Sequence, residues 1–190
     1  MDQKSPLPES MWQVVLDQRG HENIDCRRMP LPKIKKDEIL IEVMAAPINP
    51  RDYYIMLAKD MPFPLCPGDE GSGVVVRSGG GFSANRLVGK RVAFFRVISK
   101  HTKGPPNGTY SEYCVTKAIF AFEIDKSIPH ELAACSILNP VSALALMERL
   151  KQLKAKTVVQ TGAASQIARM MIRLGPIYKM QFINIVRRKE

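Results

Sequence analysis

The sequence predicts a mixed fold, a β-rich N-terminal domain of barrel or sandwich type followed by an α/β segment. Three observations predict it. Between residues 11 and 124, short alternating runs are separated by glycine and proline turns. From Pro129 the apolar residues fall at helical spacing instead. Residues 156–190 then read as strand, tight turn, helix, loop, strand, a βαβ unit.

The elements follow in order. Residues 1–10 are a polar, proline-containing lead-in. Met11 to Leu16 reads as a strand, and Gln18 to Glu22 as a turn around Gly20. Glu38 to Ala46 alternates, with Ile39, Ile41 and Val43 on one face and Leu40, Glu42 and Met44 on the other. Asn49-Pro50 favours an extended or turn conformation before a short helix over Tyr53 to Ala58. Three prolines then lead into a strand from about Gly71 to Val76, whose glycines imply close backbone approach or a bulge. Ser78 to Asn85 is expected as a turn and Gly89 to Val97 as a strand. Lys100 to Asn107 is expected as a loop, with strands over Gly108 to Thr116 and Ile119 to Ile124.

Beyond that point helices are expected over Glu131 to Leu138 and Val141 to Leu153, the second with a Leu144, Met147, Leu150 stripe. Val158 and Val159 run into Gly162-Ala163-Ala164-Ser165, and Ile167, Met170, Met171 and Leu174 follow at helical period. Gly175-Pro176 is expected to stop this helix, and Phe182 to Val186 to form the next strand. A βαβ unit with a small-residue turn at its first junction is the phosphate-cradling half of a dinucleotide fold. Such a doubly wound sheet needs about six strands, and this segment offers only its beginning.

Composition narrows the function classes. The 45% apolar content is ordinary for a globular protein, and no run reaches the roughly 18 residues of a membrane span. The N-terminus lacks an apolar or Arg-rich targeting pattern, so a cytoplasmic location is expected, with a mitochondrial one left open. Of the formal charge of +10, residues 147–190 carry +8, from 10 basic and 2 acidic side chains. That asymmetry suits an anionic ligand such as a phosphorylated cofactor, or a solvated helix face. No basic stripe interleaved with aromatics points to nucleic acid. Cys26, Cys66, Cys114 and Cys135 form no metal-knuckle pair and read as free thiols.

Five stretches together resemble the medium-chain dehydrogenase/reductase superfamily: INPRDYY at 48–54, PGDEGSGVV at 67–75, GKRV at 89–92, GTYSEY at 108–113 and NPVSALALM at 139–147. The resemblance implies an α+β/α/β chain. A chaperonin-10-like β-barrel catalytic domain would occupy residues 1–128, and the first βαβ unit of an incomplete Rossmann domain residues 129–190. The superfamily's zinc enzymes have a Cys ligand near position 49 and a His ligand at position 69, where this chain has Asn49 and Asp69. Zinc needs about four N, S or O ligands, so the resemblance implies a zinc-independent type, quinone oxidoreductase or 2-enoyl thioester reductase. The enoyl reductases' tyrosine position holds Asp60, which leaves Tyr54 as the closer match to the quinone reductases.

The implied activity is NADPH-dependent hydride transfer to a quinone or an activated C=C, with a small-molecule acceptor as partner. Charge building on the acceptor oxygen calls for hydrogen-bond donors, and Asn49 and Tyr54 are the candidates. Asp52 would orient its neighbours. Ser142 takes the family's Thr position near the nicotinamide, with Asn139 beside it. Ala163, Ser165 and Ala168 stand at the three small-residue positions of the dinucleotide fingerprint. Ala164 and the N–H groups of Ser165, Gln166 and Ile167 are expected to face the diphosphate. Arg187 and Arg188, about 20 residues on, suit a 2′-phosphate and favour NADPH over NADH. No metal site is expected. A homodimer through the dinucleotide domain's edge is implied for a complete domain. The alternative is a truncated, non-catalytic remnant or interaction module that keeps the barrel without holding cofactor.

Overall fold

In the computed structural model, which describes residues 6–96 and 107–187, the chain divides into two compact units, Met1–Cys135 and Ser136–Glu190. The sequence places the change of pattern after residue 128.

In the first unit, β1 (Ser10–Leu16) pairs antiparallel with β2 (Ile24–Pro30). The strand β2 was not foreseen, because its IDCRRMP run is largely exposed and shows no apolar alternation. Its charged residues and terminal proline fit a sheet edge. A five-stranded antiparallel sheet follows in the order β6-β3-β4-β5-β7. It is built from β3 (Glu38–Ala45), β4 (Glu70–Ser78), β5 (Arg91–Phe95), β6 (Tyr113–Lys117) and β7 (Ala121–Glu123). The strand β1 joins the chain ahead of β6: the Val14 N–H donates to the Tyr110 carbonyl at 2.9 Å, and the Glu112 N–H to the Trp12 carbonyl at 3.1 Å. These bonds extend the sheet toward barrel closure.

The core lies inside this curve. Ile39 and Ile41 of β3 meet Val75, Val92, Phe94 and Cys114 from the neighbouring strands, all at 0% exposure. Burying Phe94 alone contributes about 2–3 kcal/mol. The expected two-faced β3 holds only in part, since Leu40 on the other face is buried as well. A central strand can be apolar on both faces when both are covered.

Helix α3 (His130–Ala134) packs on the sheet against β3, β4 and β5, while α1 (Pro50–Leu57) lies against the 3-10 turn His21–Asn23. The helix α2 (Phe82–Leu87) replaces the turn expected over Ser78 to Asn85. It buries Ala84 and Leu87, three residues apart on one face, and the Asn85 N–H donates to the Gly81 carbonyl at 2.9 Å. The strand expected over Gly108 to Thr116 begins only at Tyr113. The one expected over Ile119 to Ile124 is a 3-10 turn, Ala118–Phe120, followed by three residues of β7. Val97 and the greater part of the expected Lys100 to Asn107 loop lie outside the described residues.

The second unit holds α4 (Leu138–Gln152), β8 (Thr157–Thr161), α5 (Gln166–Tyr178) and β9 (Gln181–Ile185). β8 and β9 pair in parallel, with Val158 opposite Phe182 and Gln160 opposite Asn184. Met147, Met171, Met180 and Ala143 form the buried centre, with Val158 and Phe182 packed on it. The βαβ reading holds, but α5 does not stop at Gly175-Pro176. Both residues lie in its last turn, where a proline removes only one helical bond. Lys179 ends the helix in left-handed conformation (φ 55°). The Lys179 N–H donates to the Pro176 carbonyl at 3.2 Å and the Met180 N–H to the Gly175 carbonyl at 2.9 Å.

Candidate functional site

Two glycine-bearing segments of the first unit lie against each other. Gly68 has φ +94°, and a Cβ there would sit 2.2 Å from Thr109 Oγ1 and 2.8 Å from Tyr110 Cδ1. At Gly108 a Cβ would lie 2.2 Å from the Pro67 carbonyl oxygen. The Thr109 N–H donates to the Gly68 carbonyl at 3.0 Å, and the Tyr110 N–H to the Pro67 carbonyl at 3.2 Å. Only glycine allows this approach at both positions, which gives PGDEGSG and GTYSEY a common physical meaning.

The approach delivers Tyr110 to helix α1. Asn49 is the N-cap of α1, and its N–H donates to Asp52 Oδ2 at 2.7 Å. The Tyr110 hydroxyl donates to the same oxygen at 3.0 Å. Asn49 Nδ2–H donates to Glu70 Oε1 at 3.1 Å. The nitrogen of the carboxamide thus faces Glu70, and one N–H of Nδ2 remains. Asp69, the neighbour of Glu70, is paired through Oδ2 with Arg51 Nε.

Asp52, Asp69 and Glu70 are all buried. Asp52 and Asp69 each keep Oδ1 buried without a hydrogen-bond partner. Burial pushes the Asp69 carboxyl above its ordinary value, with Arg51 pulling the other way. Burial and then the Asp52 charge push the Tyr110 phenol upward, so it stays a donor at neutral pH.

Of the expected catalytic residues, Asn49 and Asp52 are thus joined, with Asp52 in the interior holding its neighbours. Tyr54 is apart from them on the solvent side of α1, 70% exposed, edge-on to Tyr53 with ring centroids 6.3 Å apart. Glu70, Tyr110 and Arg51 were missed. The available signal was chemical: a carboxylate at the start of a Gly- and Val-rich strand has to be buried with a partner.

Burial also pushes the thiols of Cys66 and Cys114 up to about 12, which fits inert core thiols. Among the described residues, no group of three or more His, Cys, Asp or Glu is arranged to hold a metal ion. No helix there is long and apolar enough to cross a membrane.

In the second unit, Gly162 follows β8 at φ +60°, with open space where a side chain would start. Ala163 and Ala168 are buried, while Ala164 and Ser165 are exposed. Ser165 caps α5, its Oγ accepting from the Ala168 N–H at 3.4 Å. Its own N–H donates to the Gly162 carbonyl at 2.9 Å, so it closes the turn and does not face a phosphate as expected. The N–H groups of Gln166 and Ile167, in the first turn of α5, have no carbonyl partner among the described residues.

The Ala163 N–H donates to the Ile185 carbonyl at 3.3 Å, which ties the end of β9 to this turn. Arg187 follows two residues later, exposed. Arg188 lies outside the described residues. On α4, Asn139 is half-buried, and the Ser142 hydroxyl donates back to the Leu138 carbonyl at 2.6 Å.

Comparison with known proteins adds four findings. Residues 35–126 match the alcohol dehydrogenase GroES-like domain. The mitochondrial enoyl-[acyl-carrier-protein] reductase of Arabidopsis thaliana is 30% identical over 181 residues, covering 92% of this chain and 46% of that protein. A Schizosaccharomyces pombe protein assigned as a quinone oxidoreductase is 26% identical, covering 76% of this chain and 42% of that protein. Among solved structures, a Mesorhizobium loti protein assigned as an NADPH:quinone reductase superposes with a TM-score of 0.85 at 27% identity. That match covers 97% of this chain and 57% of the other. The chain therefore spans about half the length of the curated relatives it matches.

Proposed function

Given that the chain belongs to the medium-chain dehydrogenase/reductase superfamily through its GroES-like domain, we propose that it is part of a zinc-independent, NADPH-dependent oxidoreductase acting on a quinone or an activated C=C. The observation that carries this is the turn of the βαβ unit. Two N–H groups without carbonyl partners, on Gln166 and Ile167, stand at the head of α5 beside a glycine and a buried alanine. The Ala163–Ile185 bond ties the end of β9, two residues before Arg187, to this turn.

These residues fit a dinucleotide. Ala163 and Ala164 leave the backbone open to a diphosphate, and the N–H groups of Gln166 and Ile167 would donate to it with the helix dipole behind them. Arg187 would take the 2′-phosphate, with Arg188 as a second cation. Asn139 and Ser142 are the candidates for the nicotinamide end. When bound, NADPH supplies the hydride. The protein's part is to place the acceptor and to donate hydrogen bonds to its oxygen, from the remaining Asn49 Nδ2–H and from Tyr54. Asp52 holds Asn49 in place.

The zinc-independent reading is supported by the donor set. Asn49 turns an N–H, not a lone pair, toward Glu70, and Asp69 is already paired with the Arg51 cation. Both arrangements oppose a divalent ion. A small-molecule acceptor, a homodimer and a cytoplasmic or mitochondrial location belong to the same proposal.

A second reading, a cofactor-free interaction module, is favoured by one feature. Val159, Ile183 and Ile185 are exposed on one face of the parallel sheet, and parallel sheets are otherwise covered on both faces. Calorimetry with NADPH and NADH, followed by NADPH oxidation in the presence of a quinone or enoyl acceptor, separates the two. Tighter NADPH binding with turnover supports the enzyme. No binding and no turnover supports the module.

A further inference from the structure

We infer that Tyr110 is a positioning residue for the candidate site, acting through Asp52 to set the first turn of α1 and with it Asn49. This rests on the proposed role of Asn49. The hydroxyl has two acceptors within reach, Asp52 Oδ2 at 3.0 Å and the Pro47 carbonyl at 3.4 Å. It carries one proton, and the shorter bond to a carboxylate is the stronger. Asp52 Oδ2 accepts at the same time from the Asn49 N–H. Asp52 is 1% exposed, and its Oδ1 has no hydrogen-bond partner among the described residues, so Oδ2 is the carboxylate oxygen that receives both donors. Removing the Tyr110 proton donor would leave a buried carboxylate supported by the Asn49 N–H and the dipole of a short helix.

The tyrosine itself is held from behind. Its ring passes against Gly68, where no side chain could stand, and its N–H is bonded to Pro67. Asn49 is held from the other side by Glu70 of β4. Tyr110, ahead of β6, and Glu70, at the start of β4, thus hold the first turn of α1 from two sides. The carboxamide keeps one direction for its remaining N–H, and preorganised donors of this kind are what an oxyanion-stabilising site needs.

The test uses the full 190-residue chain with 15N-labelled asparagine, comparing wild type with Tyr110→Phe, which removes the hydroxyl and keeps the ring. The expected result is a displaced side-chain amide pair for Asn49 and a hydrogen exchange of its backbone N–H faster by about fivefold or more. The Asn184 side-chain amide should stay in place. An unmoved Asn49 signal in Tyr110→Phe would overturn the inference. Should Tyr110→Phe fail to fold, the wild type decides: the Tyr110 hydroxyl proton, bonded to Asp52 Oδ2, should exchange slowly, and a hydroxyl proton exchanging as fast as that of exposed Tyr54 would overturn the inference. NADPH titration of the wild type is run beside it. Absence of binding there counts against the proposed function, while the asparagine signals decide the positioning role separately.

Discussion

Arg91 Nε donates to His130 Nε2 at 3.1 Å, and this bond determines the protonation of the histidine. A guanidinium only donates, so Nε2 must be the bare nitrogen and Nδ1 carries the proton. Nδ1 lies 3.0 Å from Ser72 Oγ, and that hydroxyl in turn donates to the His130 carbonyl at 2.7 Å. Arg91 also donates to the carbonyls of Asp125, Lys126 and Ile128. The neutral ring thus pins α3 and the segment before it onto β4 and β5.

The pH dependence follows from that geometry. Burial first, and then the Arg91 charge, hold the His130 pKa below its ordinary value of 6.5, against a smaller opposing pull from Glu131. An unfolded histidine therefore takes up its proton at higher pH than the folded one. The contribution is present in full above about pH 6.5 and is lost as pH falls from there toward the folded pKa. Melting temperatures at pH 8 and pH 5.5 should differ less in His130→Gln than in the wild type. Equal differences would show that another group carries the transition.

Gly68 and Gly89 both have positive φ, +94° and +79°, yet their surroundings differ. A Cβ at Gly89 meets nothing within 4 Å, so Gly89→Ala should cost only the left-handed backbone strain, about 1–2 kcal/mol. Gly68→Ala adds the collision with Thr109 and Tyr110 and should cost clearly more. Urea denaturation of the two variants measures the difference.

Met147 is fully buried at the centre of the second unit, among Ala143, Met171 and Met180. Met147→Ala should cost about 2–5 kcal/mol, through lost transfer energy and the cavity left behind. The helical circular dichroism signal should melt at lower urea. Ile183→Lys, on the exposed face of β9, should leave that transition in place and reduce self-association in light scattering.

Arg187→Ser tests the proposed preference between the two nicotinamide cofactors. Loss of a charge-assisted contact to the 2′-phosphate should weaken NADPH about tenfold or more and leave NADH unchanged. An equal loss for both would assign Arg187 to the diphosphate or to general charge. Calorimetry with each cofactor reads the outcome.

The sequence by itself determined the change from a β-rich to an α/β pattern, the βαβ unit, and the glycine-marked stretches at 67–75 and 108–113. These are local properties. The period of two in β3, the helical spacing from Ile167 to Leu174 and the small residues of the turn are all read within a window of a few residues. Even there the Gly175-Pro176 stop was overruled by a left-handed Lys179 one turn later, and the exposed edge strand β2 left no periodic trace.

The tertiary structure alone decided which polar groups meet. Tyr110 reaches Asp52 across 58 residues, Ser72 reaches His130 across 58, and Asn49 reaches Glu70 across 21. It also put Asp52 in the interior beside Asn49 and Tyr110 and tied the Ser165 N–H into its own turn. The physical reason is that a buried carboxylate demands partners without specifying them. The partner is whichever donor the strand pairing and the close glycine contact carry to it, and neither is encoded in the residues beside it.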